Sequence, residues 1–541
     1  MTTDAVDLTT DVKGQPSAAE VEAAVLGWFD RHRWWVFTGI AVLYLVTFNA
    51  RWRLNPDSAL YMELGRNVAE GKGYTYHGEP HTWYEPGLPW VIAGLYRVFG
   101  VESYAPVLAF ILACSAAGLW LTYRLMLGFA GRPTAVLVTA LVAVCETFLR
   151  YGYQVVSDTP FFVGVMLYLL GWERVVNRKD PRRRSWSGWL MIAGSVVIMA
   201  AFRPTVITFI GAVVLASAWK LVAPPKWGGV RAGRRVLVGV VLLTVACYAG
   251  FRKVDPRRHH GEQSVYREAT LKSLLTERRG YAIHRMLTET VPDFVGEIFP
   301  EAVIGTRLGP GLDWIASAAM LAAGLALVTT RPLWAAWIAA TVAQSMFWLP
   351  RERYTVPIMP LLLYAVWRAA VRLGARAGPK WAAWLVGGVL VIFVVPNTIM
   401  VVRFAIEQRH AGVNGDGRGD PQLEPFVKMG REINRVVAET DAVVAHEGRI
   451  LSYFSRRRVD QPLKDLRWPP TAEQERRFED SLTASPALYV VLPDEGNKKN
   501  VEGLMKDLGM APGEVLASVE RPKDRKRRAQ APLELRKLNP K

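Results

Sequence analysis

Residues 34–74 read WWVFTGIAVLYLVTFNARWRLNPDSALYMELGRNVAEGKGY. An apolar run from Trp34 to Arg51 is followed within a few residues by an acidic one, Asp57. Crossing the hydrocarbon core of a bilayer takes about 20 apolar residues, so this run is the first membrane span and Asp57 stands where it emerges. An ionisable group at the lipid–water boundary is costly unless it has a role. Asn55 is a good helix cap and Pro56 suits the first helical position, while Gly71 and Gly73 stop the helix. Leu60, Leu64 and Val68 give it an apolar stripe, so a short helix is expected along the membrane surface with that stripe on lipid or spans. Tyr61 lies one turn beyond Asp57. The plainer reading of Asp57 is a carboxylate complementing the helix N-terminus.

Composition sets the wider frame. The chain has 541 residues, of which 51% are hydrophobic and 21% charged, with a mean hydropathy of +0.13. That mixture fits a multi-span membrane protein with polar loops and a soluble appendage. The net charge of +18 is concentrated in short basic clusters between apolar runs, such as Arg174–Arg184 and Lys220–Arg235. This is the positive-inside pattern and argues against nucleic acid as a partner. Cys114, Cys145 and Cys247 all fall in apolar runs and show no disulfide or metal framework. The first 30 residues lack the features of a cleavable leader, so the first span is expected to remain as an anchor.

By length, about eleven spans are expected, centred near residues 43, 114, 141, 168, 194, 212, 243, 321, 341, 362 and 391. Leu88–Gly100 is too short and reads as a juxtamembrane or re-entrant helix. Placing the basic loops in the cytoplasm puts residues 1–33 there as a tail. Outer loops 52–103 and 252–312, and everything after about 402, then lie outside. The C-terminal region, 416–541, changes character. AVVAHEG (442–448), ALYVVLP (487–493), EVLASVE and PLELRKL read as strands between helix-compatible stretches. The expected fold is therefore mainly α: a polytopic transmembrane helical bundle (34–402) with a small C-terminal extracytoplasmic α/β domain. Nothing in that domain proposes chemistry by itself.

Four further segments place polar residues on the same outer face. HTWYEPGLPW (81–90) supplies His81 and Glu85, with Trp83, Tyr84 and Trp90 as an interfacial aromatic belt. RYGYQVVSDTPFF (150–162) supplies Asp158, for which helix capping is the plainer account. AFRPT carries Arg203, and PRERYTVPIMP (350–360) carries Arg351, Arg353 and Tyr354. Snorkelling explains any one arginine but not the whole set.

With those motifs in view, the chain resembles the GT-C type membrane glycosyltransferases, in particular the protein O-mannosyltransferase and lipid A aminoarabinose transferase branch. The likeness rests on NPDSALY after the first span, EPGLPW, SDTP and RYTVPIMP, in that order, and on the soluble domain after the last span. It implies a GT-C-like bundle, a sugar donor linked to polyprenyl phosphate, and Asp57 as the catalytic acidic residue. Ser58 stands where such proteins commonly carry a second acidic residue, and Glu85 where some carry a lysine for the donor phosphate.

The expected mechanism is a single inverting displacement, with Asp57 as general base toward an acceptor hydroxyl. Arginine suits the leaving phosphate, Arg353 first and Arg203 second. Asp57 and Asp158 are thus the catalytic candidates, and Arg353, Arg203, Arg351, Tyr354, Glu85 and Tyr61 the substrate-binding ones. No cofactor is assigned beyond a divalent metal ion for which His81 and Glu85 are the candidate ligands; Asp158 would orient the acceptor or bind metal. The expected partners are the lipid-linked donor, a protein, lipid or glycan acceptor, and the bilayer. His259-His260 reads as a solvated pair, and Tyr281–Phe299 as a flap over the donor site. The competing readings are a transporter or flippase for lipid-linked substrates and a non-catalytic scaffold of the same fold.

Overall fold

The structure is a computed structural model. It describes residues 26–177, 185–223, 233–255, 284, 286–347, 351–414, 418–445, 448–460, 488–492, 510–520 and 533–540. The expected pair His259-His260 and the start of the expected flap, Tyr281, lie outside them.

Helices dominate. Those of the membrane half are α1 (Arg33–Thr47), α2 (Pro56–Ala69), α3 (Gly87–Phe99), α4 (Tyr104–Leu127), α5 (Arg132–Val144), α6 (Glu146–Tyr151) and α7 (Asp158–Val175). They continue with α8 (Trp186–Phe202), α9 (Val206–Val222), α10 (Arg234–Val254), α11 (Pro310–Ala326), α12 (Pro332–Phe347), α13 (Met359–Ala377) and α14 (Pro379–Gln408). Every expected span centre falls inside one of them. Among the described residues, five stretches are long and apolar enough to cross a membrane: Tyr104–Leu127, Arg234–Val254, Pro310–Thr329, Glu352–Ala377 and Trp384–Gln408. The other apolar helices are shorter, among them Trp186–Phe202 and Val206–Val222. Helix starts follow glycine–proline punctuation. Gly131, Gly309 and Gly378 take positive φ just before helices whose first turns carry Pro133, Pro310 and Pro379.

The bundle has two kinds of surface. Trp120, Leu190, Leu215, Leu242, Ile315 and Ile399 stay exposed, an apolar exterior that a water-facing protein does not keep. Inside, Trp172, Trp334, Trp337 and Trp367 are fully buried. Polar groups within the bundle find partners, as where Tyr168 meets Thr244 Oγ1 at 2.8 Å. Helical turns from Met286 to Ile304 pack on α11 and α12, with Phe294 and Phe299 buried.

In the loop between α1 and α4, α2 packs against α3, with the two-residue strands β1 (Thr75–Tyr76) and β2 (Glu79–Pro80) between them. The surface-lying helix expected from the sequence is corrected here: every residue of α2 from Ser58 to Asn67 is buried, including Glu63 and Arg66. The reason is tertiary, because the C-terminal domain covers its outer side.

That domain contains α15 (Glu424–Val436), β3 (Ala442–Ala445), α16 (Gly448–Ser455), β4 (Val459–Asp460), β5 (Leu488–Leu492), β6 (Met510–Val519) and β7 (Leu533–Pro540). Its five strands run in the order β4-β3-β5-β7-β6, with β3 parallel to both neighbours and β7 antiparallel to β5 and β6. Helix α16 lies on α2. The connection from the last span is short and fastened. Trp52 and Val413 exchange two backbone hydrogen bonds of 2.9 Å, and Asn49 donates to the carbonyls of Gln408 and Ala411. Gly412, at φ +82°, sits so close to the Trp52 carbonyl that a Cβ would approach it to 2.8 Å.

Candidate active site

Asp57 is placed by the cap of its own helix. The Asn55 side chain accepts from the Asp57 backbone N–H at 2.9 Å, and Ser58 Oγ accepts from the Asn55 N–H at 3.0 Å, which completes a capping box. Trp52 Nε1 also donates to Ser58 Oγ at 3.0 Å. Ser58, standing where the resemblance would put a second carboxylate, is thus part of the helix start. With the cap supplied by Asn55 and Ser58, the Asp57 carboxylate is left for other partners.

Three donors converge on it. Tyr84 Oη donates to Oδ1 at 2.7 Å and Arg449 Nη1 to the same oxygen at 2.9 Å, while Arg353 Nη1 donates to Oδ2 at 2.8 Å. Burial alone would push the Asp57 carboxyl up. Arg353, the Tyr84 hydrogen bond and Arg449 outweigh that and hold it at about 2. Asp57 is therefore ionised across the whole working range. Burial, with the neighbouring Asp57 charge, pushes the Tyr84 phenol up, so it remains a donor. The carboxylate and its two guanidiniums carry a net single positive charge.

A second pair stands beside the first. Asp158, in the first turn of α7, bonds Arg203 at the end of α8, and both side chains are buried. The Asp158 carboxylate is thus engaged by a guanidinium rather than spent on capping. The Tyr354 ring joins the two clusters, lying 5.0 Å from the Arg203 guanidinium and 5.6 Å from that of Arg353. Tyr61 meets Ser157 Oγ at 2.9 Å and packs edge-on against Tyr84 at 4.9 Å. Glu85 is buried and acts electrostatically on Arg203.

The 3-10 turn Glu352–Ile358 that carries Arg353 is braced from behind. Arg150 donates to Glu146 Oε1 at 2.7 Å and to Glu352 Oε2 at 3.0 Å. Arg351 precedes that turn in extended backbone and is exposed, so it does not join the Asp57 cluster. A small cavity opens among the spans, lined by Asp158, Arg203, Arg353, Tyr354 and Gln344 on its polar side and by Phe161, Trp337 and Pro357 on its apolar side. Arg353 Nε is buried there with no hydrogen-bond partner among the described residues.

The His81 ring accepts the Tyr84 backbone N–H at 3.2 Å, which shapes the 81–85 turn. Among the described residues no group of three or more His, Cys, Asp or Glu side chains is arranged to hold an ion.

Two members of the cluster escape a reading of the sequence. Tyr84 has a sufficient explanation as a belt residue, and Arg449 lies in a domain whose motifs suggest no chemistry. One signal points to Arg449: it opens the helix that follows strand β3, and α/β sheets present functional groups at the carboxyl ends of their strands.

A helical bundle with a carboxylate in the loop after α1, arginines clustered at the helix ends and a soluble domain closing over them is similar to known proteins in part of its sequence and in its fold. The family described as dolichyl-phosphate-mannose-protein mannosyltransferase matches residues 80–250. ArnT from Cupriavidus metallidurans bound to undecaprenyl phosphate shares the fold with a TM-score of 0.53 at 12% identity, over 93% of this chain and 98% of that one. The apo Archaeoglobus fulgidus oligosaccharyltransferase gives a TM-score of 0.52 at 13% identity, over 86% of this chain and 70% of that one. The oligosaccharyltransferase AglB from Archaeoglobus fulgidus, in complex with an inhibitory peptide and a dolichol-phosphate, gives 0.50 at 12% identity over the same shares. A search of curated proteins finds no match.

Proposed function

We propose that this chain is a glycosyltransferase of the cell membrane, its N-terminus cytoplasmic and its C-terminal domain extracytoplasmic. It moves a sugar from a polyprenyl-phosphate donor to an acceptor hydroxyl on the outer face. The observation that carries this reading is the Asp57 carboxylate bound to Arg353, a residue that lines the cavity and whose buried Nε has no hydrogen-bond partner among the described residues. An unpaired buried guanidinium N–H is costly and suits an anion that comes and goes. The solved relatives that hold undecaprenyl phosphate and dolichol-phosphate make a lipid phosphate the natural anion.

A carboxylate held at about 2 is a weak base, and general bases work best nearer the operating pH. The donor resolves this. Its phosphate draws on Arg353, the hold on Asp57 loosens, and the carboxylate gains basicity as the donor arrives. The acceptor hydroxyl then attacks the anomeric carbon while Asp57 takes its proton. The bond from that carbon to the phosphate oxygen breaks, and the charge left on polyprenyl phosphate is met by Arg353 and Arg203. One displacement inverts the anomeric centre. Asp158, paired with Arg203, holds that guanidinium toward the cavity, and Tyr354, Tyr61 and Glu85 line the approach.

The test is transfer from a radiolabelled polyprenyl-phosphate sugar by the purified full-length protein. Asp57→Asn keeps the volume of the side chain and should lower transfer by about 100-fold or more, with insertion and expression unchanged. Full activity in that variant overturns the proposal.

A further inference from the structure

Among the described residues, the C-terminal domain reaches the Asp57 cluster through Arg449. We infer that Arg449 is a positioning residue for Asp57, so that helix α16 of the soluble domain is a structural part of the reaction centre. This rests on the reading of Asp57 as the base.

Arg449 Nη1 donates both to Asp57 Oδ1 at 2.9 Å and to the Tyr84 hydroxyl oxygen at 3.0 Å, and Tyr84 donates to the same Oδ1 at 2.7 Å. The three groups close a triangle. A carboxylate held at one oxygen can still turn about its last torsion, which has broad wells. With Arg353 on Oδ2 and the triangle on Oδ1, both oxygens are tied and the plane of the group is set.

The helix that supplies Arg449 is firmly seated. Tyr453 lies four residues further on, hence on the same face of the helix. Arg66 of α2 donates to the Tyr453 carbonyl at 2.7 Å and stacks on its ring at 4.7 Å. The Tyr453 hydroxyl meets that of Tyr96 on α3 at 3.1 Å, and its ring packs on Trp52 at 4.9 Å. Asp57 and Arg66 belong to one helix, as do Arg449 and Tyr453. The two helices are therefore joined at two points, and the geometry at Asp57 is inherited from the buried anchor at Tyr453.

The plainer account is that Arg449 forms a docking ion pair. A partly exposed pair of that kind contributes little, and its loss should not alter the chemistry of Asp57. The two accounts part in the titration of Asp57. Infrared spectra of the full-length protein in nanodiscs, differenced against Asp57→Asn, isolate this one carboxylate. In Arg449→Gln its midpoint should rise by about one pH unit, whereas Arg449→Lys should stay nearer the parent. Ser452→Ala alters the same helix without touching Asp57 and should leave the midpoint in place. In the transfer assay Arg449→Gln should lower kcat by about 10-fold or more with donor KM nearly constant, and Arg449→Lys should recover part of it. An unchanged midpoint together with unchanged kcat in Arg449→Gln overturns the inference. Transfer that survives in Asp57→Asn instead overturns the general-base reading, and the infrared shift then still reports whether Arg449 holds the carboxylate.

Discussion

Arg353 Nη1 lies 2.8 Å from Asp57 Oδ2 and joins side chains 296 residues apart. The contact ties the loop after α1 to the last third of the bundle, and in the proposed mechanism it gives one guanidinium two duties. It quenches the carboxylate when the site is empty and faces the leaving phosphate when it is filled.

Arg353→Lys separates those duties. Lysine keeps the charge but loses the fork that can serve carboxylate and phosphate together. Donor KM should rise by about 10-fold or more, and the protein should remain folded. Steady-state kinetics on the lipid-linked donor check this, and an unaltered KM would remove Arg353 from donor binding.

The Arg203–Asp158 pair is buried, with side chains 11% and 2% exposed. Removing one partner of such a pair strands a charge and costs about 3–5 kcal/mol, whereas removing both often costs much less. Arg203→Gln and Asp158→Asn should each lower Tm, and the double variant should recover most of the loss. A double variant that is stable yet inactive supports the catalytic duty expected of the pair. One that is stable and active assigns it to the scaffold.

Docking of the C-terminal domain should weaken as pH rises. Glu63 on α2 is buried against α16, where it accepts from Ser452 Oγ at 3.3 Å, and its Oε2 has no partner among the described residues. Burial pushes its carboxyl up to about 7, against the opposing pull of Arg66, Ser452 and Lys72. His77, 3.0 Å from Ser452, is held down to about 3 by burial, Arg458 and His81, and so stays neutral. Because the docked state favours the protonated acid, its stability is fully present at low pH and is lost as pH climbs through about 7. Limited proteolysis should release the domain more readily at about pH 8 than at about pH 6. Glu63→Gln should abolish the difference.

Much of this was legible in the chain itself. Long apolar runs locate the helices because the cost of burying unpaired backbone in lipid leaves few alternatives. Asn55 and Pro56 mark the start of α2 because capping is a local matter. The same locality explains the gaps. Nothing near Tyr84 distinguishes a belt residue from a carboxylate donor, since its partner lies 27 positions away in another element. Arg449 is one of 66 lysines and arginines, and only the seating of α16 singles it out. Arg351 and Arg353 look equivalent in sequence, yet one precedes the 3-10 turn in extended backbone and the other lies within it, so only one turns inward.

The paired backbones of Trp52 and Val413 bear on how the soluble domain behaves. A domain hung on a slack linker visits its site at a frequency set by linker length. Here the chain leaves its last span and is at once stitched to the exit of its first. The domain has a stiff neck, so it arrives with its orientation largely decided. In the proposed reaction, an acceptor gains access by a tilt of the domain around that stitch rather than by a wide swing.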